Sequence, residues 1–225
     1  MKAFSFLIAL GLNLICFCVL GASLGLFLAG FFTLTLLLPP LMLTQGKTKR
    51  RIATAACVGV GTAVVWLVTV YRSEVTLMQW LKSCVVLIGF ATSLAGVSVA
   101  LVRLRINPLA ASAIAVTLWL IWLTAPVWLA SSVSDAGVAR LVWIHPIFAI
   151  NGLLSNLGTW SHFPIAYRQL TTLGQDIPYT LPTSIWPATL IHLIPGIALW
   201  WVGSSKPSAA AEPSEAGPSS AAGRS

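Results

Sequence analysis

The stretch VTLMQWLKSCVVLIGFATSLAGVSVALV, residues 75–102, decides the fold. It holds a single charge, Lys82, and runs directly into Arg103 and Arg105. A helix needs roughly 20 apolar residues to cross a hydrocarbon core about 30 Å thick, and this stretch exceeds that length. Its solvent is therefore lipid. Working outward, further apolar runs cover residues 4–20, 24–43, 52–71, 109–130 and 186–202, with nearly all basic residues in the short segments between them. The pattern predicts an all-α, polytopic transmembrane helical bundle of six crossings within residues 1–203, followed by a disordered cytoplasmic tail over 204–225.

Composition points the same way. The chain is 57% hydrophobic and 8% charged, with a mean hydropathy of +0.90, whereas soluble domains carry roughly 25% charged residues. Its 225 residues allow one bundle and a tail, with no second soluble domain. The formal charge of +8 sits on short flanks of apolar helices and not on a face interleaved with exposed aromatics. That excludes nucleic acid as a partner and makes anionic lipid headgroups the expected counterions. Cys16, Cys18, Cys57 and Cys84 fall inside the apolar runs and read as small hydrophobes.

The first run also resembles a secretory signal peptide, since Met1-Lys2 precedes it and Leu20-Gly21-Ala22-Ser23 closes it. A retained first helix with a tight turn at Gly21 explains the same residues, because another apolar run begins at once. Orientation follows from charge. Lys2, Lys47, Lys49, Arg50, Arg51, Arg103, Arg105 and Lys206 fall on one face, against Arg72, Arg140 and Arg168 on the other. The positive-inside asymmetry then places both termini in the cytoplasm of a plasma (inner) membrane. Lys82 reads as an interfacial anchor within reach of Glu74.

Small residues let helix backbones approach closely in lipid. Gly21, Gly25 and Ala29, then Ala55, Gly59 and Ala63, then Gly89 with Ser93 and Gly96 with Ala100 form stripes expected to face inward. Pro39-Pro40 and Pro126 are expected to bend or end their helices. Trp66, Trp80, Trp128, Trp186, Trp200 and Trp201 lie near run ends and read as interfacial belt residues.

Residues 131–185 are the most individual part of the chain. The run 141–154 contains His145-Pro146 and Asn151-Gly152, and it is too short and interrupted for an ordinary crossing. It predicts a re-entrant or interfacial helix starting near Pro146. The stretch that follows carries Trp160, His162, Pro164, Tyr167, Arg168, Asp176 and Tyr179, which suggests an ordered cap on the outer end of the bundle. Candidate functional residues on this face are His145, Asn151, His162, Arg168, Asp176 and His192.

His145, His162 and His192, with Asp176, could share one depth, but their separations match no ligand spacing, so no metal, cofactor or catalytic residue is assigned. Gly21-Ala22-Ser23-Leu24-Gly25 has the pattern of a nucleophile elbow without the strand it requires. Gly46-Lys47-Thr48 has Leu41 where a phosphate loop needs its first glycine, which excludes nucleotide hydrolysis by this chain.

Six crossings with both termini inside, and a short helix plus cap before the last, resemble the ABC-2 type export permeases. The resemblance implies a membrane subunit without its own ATPase, served by a separate cytoplasmic ATPase and working as a homodimer. The chain departs from that family in lacking a long amphipathic helix before the first crossing. It also has only the short basic loop 46–51 where a longer contact loop is expected.

Three functional readings follow. A permease-like subunit predicts partner contact through Lys47, Lys49, Arg50, Arg51, Arg103 and Arg105. A non-catalytic subunit among other membrane subunits predicts outward small-residue stripes. A metal or haem enzyme predicts convergence of His145, His162 and His192.

Overall fold

The computed structural model describes residues 11, 23–72, 75–129, 134–154 and 180–204. The expected first crossing, most of the cap with His162, Arg168 and Asp176, and the tail lie outside these residues. Seven helices fall among them: α1 (Ser23–Leu43), α2 (Thr48–Tyr71), α3 (Leu77–Arg103), α4 (Pro108–Leu129), α5 (Asp135–Ile144), α6 (Pro146–Leu153) and α7 (Trp186–Ser204). Five of them, α1, α2, α3, α4 and α7, are long and apolar enough to cross a bilayer, and α5 with α6 forms a pair bent by 77°. The described part is thus all-helical, with five or six candidate crossings.

The surface identifies the solvent. Met78, Ile88, Leu118, Ile121, Ile194 and Ile197 are all exposed on the flanks of these helices. In water such a surface would aggregate, whereas lipid tails meet it at no cost. The chain is a multi-pass membrane protein.

Helix order in space follows from a few long-range bonds. Trp66 near the end of α2 donates its indole N–H to Leu26 O near the start of α1, so the two helices run antiparallel. Trp80 near the start of α3 donates to Ala63 O on α2, so α2 and α3 are antiparallel as well. Lys47, Lys49, Arg50, Arg51, Arg103 and Arg105 therefore share one end of the bundle, while Arg72, Lys82 and Arg140 lie towards the other. Three of these cations, Lys49, Arg50 and Arg51, sit in the first turn of α2, where the helix dipole disfavours positive charge by roughly 0.3–1 kcal/mol each.

α3 and α7 form the most closely packed pair, and they run parallel. A Cβ at Gly89 would lie 2.9 Å from Thr189 O, and one at Gly96 would strike Gly196 O. The expected inward placement of Gly89, Ser93 and Gly96 is correct. The stripe on α2 is not the expected one. Its buried face is Thr54, Val58, Gly61, Thr62, Val65, Trp66 and Thr69, while Ala55, Gly59 and Ala63 line an open groove of about 550 Å³ with Cys84, Ala91 and Trp200. Bulky Trp66 claims the inward direction and turns the small residues a step away.

Pro39 and Pro40 do not end α1, which continues through them to Leu43. A polar turn at Thr44 to Gly46 ends it, with Thr44 N–H bonded to Pro40 O. Between α3 and α4 the chain turns in a Schellman arrangement. Arg105 N–H bonds Val102 O and Ile106 N–H bonds Leu101 O, with Arg105 held at φ 62°. A side chain in this left-handed region costs about 1–2 kcal/mol relative to glycine. Arg105→Gly is expected to raise the thermal unfolding midpoint in detergent by an amount equivalent to about 1 kcal/mol, and an unchanged or lower midpoint would show that the guanidinium repays the strain.

Candidate functional site

Aromatic side chains from six helices, with His145 at the α5–α6 break, form one connected core. Phe27 packs on Trp66 at 4.5 Å, Trp66 on Phe31 at 5.9 Å, and Phe31 on Phe90 edge-to-face at 5.0 Å. Phe90 contacts Trp119 at 5.3 Å and His192 at 6.0 Å. Beyond His192 lies Trp122 at 6.0 Å, then His145 at 5.2 Å, then Phe148 at 5.6 Å. These spacings fall in the favourable range for ring pairs.

Two of the sequence candidates meet at Trp122. Its indole N–H donates to His192 Nε2 at 3.0 Å, so that nitrogen carries no proton. His192 Nδ1–H then donates to Ala188 O at 2.6 Å, one turn earlier on α7. Both nitrogens of His192 are engaged, and its tautomer is fixed. His145 stands on the other side of Trp122 and donates Nε2–H to the Trp122 carbonyl at 3.0 Å. Its Nδ1 is left as a buried acceptor without a partner among the described residues.

The local sequence explains the position of His145. Pro146 lacks an N–H and opens α6 at its first turn, and it drives the preceding residue out of helical backbone, so His145 ends α5 with ψ 129°. The expected helix start at Pro146 is correct, but the apolar run is two helices and not one. Asn151, on the following turns of α6, is buried at 1% exposure, and both its Oδ1 and Nδ2 lack partners among the described residues. Buried amides are satisfied in the great majority of cases, so this carboxamide calls for a role.

The end of α6 lies at the end of the bundle where α3 and α7 begin. α6 ends where Gln79 Nε2 on α3 donates to Leu153 O at 3.0 Å and where a Cβ on Gly152 would strike Pro182 O, just ahead of α7. Gln79 also closes the capping box of α3, accepting from Thr76 N–H at 2.9 Å while Thr76 Oγ1 accepts from Gln79 N–H at 3.2 Å. One glutamine thus fixes the start of α3 and the end of α6.

The arrangement offers little to a metal. Among the described residues no three His, Cys, Asp or Glu side chains gather around a common point. The basic candidates are placed as follows: Lys47, Lys49, Arg50 and Arg105 are exposed and Arg103 is half-buried, while Arg51 donates Nε–H to Gln45 O at 2.9 Å and braces the α1–α2 turn. Trp119, Trp122 and Gln79 were not singled out from sequence as site residues. Trp119 had a signal in lying half a helix from either end of the 109–130 run, away from the interfacial positions of a belt residue. No known family, curated protein or solved structure matches this chain.

Proposed function

We propose that this chain is a permease-like membrane subunit of a transport system, without its own ATPase. The observation that carries this reading is the break at His145, where two short helices meet at 77° beside a buried imidazole nitrogen and a buried carboxamide with no partner among the described residues. Transporters use discontinuous helices to present polar groups to a solute within the bilayer, where a continuous helix would spend them on itself. In this reading the α5–α6 pair, which ends beside the start of α3, is a re-entrant hairpin, and the sixth crossing is the one expected from the sequence over residues 4–20, outside the described residues. No carboxylate or cation flanks the break among the described residues, so an uncharged solute that both donates and accepts hydrogen bonds is the chemistry it suits.

The basic end is cytoplasmic in this reading, with both termini on that side of the plasma membrane. Lys47, Lys49, Arg50 and Arg105, exposed there, would meet an acidic surface on a cytoplasmic ATPase. A second reading, a non-catalytic subunit of a larger membrane complex, is favoured by the groove around Gly59, where an added Cβ would meet nothing within 4 Å. A neighbouring helix, or a second copy in a homodimer, fits such a surface.

Cysteine accessibility separates the two. In a chain with Cys16, Cys18, Cys57 and Cys84 replaced by alanine, Asn151→Cys is expected to react with a small impermeant thiol reagent applied from outside intact cells, as is the exposed control Ser134→Cys. Labelling of Ser134→Cys but not Asn151→Cys would remove the permeation reading. Labelling of neither until the cells are opened would reverse the orientation.

A further inference from the structure

A cleft of about 330 Å³ opens between α3, α6 and the segment leading into α7, at the end of the bundle opposite the basic loops. Its floor is apolar, formed by Leu81, Val85, Leu153 and Ile185, and its rim holds Lys82, Thr183 and Ser184. Every charged or hydrogen-bonding group on that rim can serve an anion. Lys82 is exposed and forms no ion pair among the described residues. Ser184 Oγ accepts from Trp186 N–H at 3.3 Å, which leaves its own O–H free to donate outward. α7 begins there, and its N-terminal positive dipole end faces the same rim. Trp186, 57% exposed at the edge, sits as indoles do at headgroup depth. Among the described residues no acidic side chain lines the cleft.

We infer that this cleft binds the phosphodiester headgroup of an anionic phospholipid, with Lys82 pairing the phosphate and the first carbons of an acyl chain lying on the Leu81–Leu153 floor. Three features select a lipid over other occupants. The floor is too apolar for a free inorganic ion, the exposed flanks of α3 and α7 are lipid-facing, and the cation stands about a turn and a half inside the end of α3, at the depth where headgroups begin. The expected anchor role of Lys82 becomes a specific one. This site does not depend on whether the break at His145 serves a solute.

Native mass spectrometry of the full chain in detergent, titrated with phosphatidylglycerol and phosphatidylcholine, tests the assignment. The wild type is expected to retain phosphatidylglycerol preferentially. Lys82→Gln should weaken that retention roughly fivefold, the equivalent of about 1 kcal/mol for one cation at a lipid surface, and leave phosphatidylcholine unchanged. Lys82→Arg should restore it. Thr183→Val, which keeps the charge and loses a rim donor, should weaken it by a smaller factor and guards against a folding defect in Lys82→Gln. Equal retention by Lys82→Gln and wild type would overturn the inference, as would displacement of the lipid by sodium phosphate, which would mark an anion site and not a lipid site.

Discussion

Gly96→Val is expected to break the α3–α7 pair, and with it the fold. At this crossing the obstacle is main chain: a Cβ on Gly96 would strike the Gly196 carbonyl oxygen, and one on Gly196 would lie 2.6 Å from Ser93 Cα and N. A side chain in the way can change rotamer. A peptide group on a packed helix cannot move without its helix. The contact also repeats along the pair, with Gly89 against Thr189 on one side and Gly203 against Val99 and Ala100 on the other, so separating the helices at Gly96 loosens the whole seam. Overpacking a core costs typically 1–3 kcal/mol, and a clash with backbone belongs at or above the top of that range. We expect Gly96→Val to lower stability by about 3 kcal/mol or more, read as the midpoint of sodium dodecyl sulfate unfolding from a mild detergent. Gly59→Val supplies the comparison, since an added Cβ there meets nothing within 4 Å and should leave the midpoint in place. Equal midpoints for the two variants would mean that α3 and α7 do not pack as described.

The same pair shows how far the sequence could be read. Apolar length placed α1, α2, α3, α4 and α7 within a few residues, because a bilayer imposes a minimum span that composition alone reveals. The closest approach of α3 was legible too, since Gly89, Ser93 and Gly96 recur at helical spacing and lipid gives no other reason for them. The α2 stripe of Ala55, Gly59 and Ala63 obeys the same rule, yet it lines a groove, because a stripe shows where a helix could approach and not whether one does. His145 and His192 were legible as ionisable groups in apolar segments. Their meeting on Trp122 was not, since it depends on where Pro146 stops α5 against α4. Asn151 was visible as a polar residue in a short helix, but its lack of partners is a property of the packed core and has no sequence signature.

Trp66 is the sharpest departure from the sequence reading, and its removal carries the other large expected effect. Its position five residues before the end of α2 suggests an interfacial belt residue, whose loss would be tolerated. The indole is instead 0% exposed, donates to Leu26 O at 3.2 Å, and packs at a tilt against Phe27 and Phe31. Gly30 makes the space: a Cβ there would lie 2.6 Å from the Trp66 ring, so a glycine on α1 and a tryptophan on α2 form one lock. Truncating a buried tryptophan to alanine costs about 3–5 kcal/mol in a protein that cannot collapse around the cavity. Trp66→Ala should approach that loss and also untie Phe31 from Phe90, the first link toward His192. Trp66→Phe keeps most of the ring and gives up the hydrogen bond, which between membrane helices is worth about 0.6 kcal/mol on average and 1.7 at most. Trp201, 74% exposed on the last turn of α7, is the belt control, and Trp201→Ala should leave the unfolding midpoint within about 0.5 kcal/mol of wild type. The order Trp66→Ala, then Trp66→Phe, then Trp201→Ala separates a core role from a belt role, because a belt residue at position 66 would make all three alike.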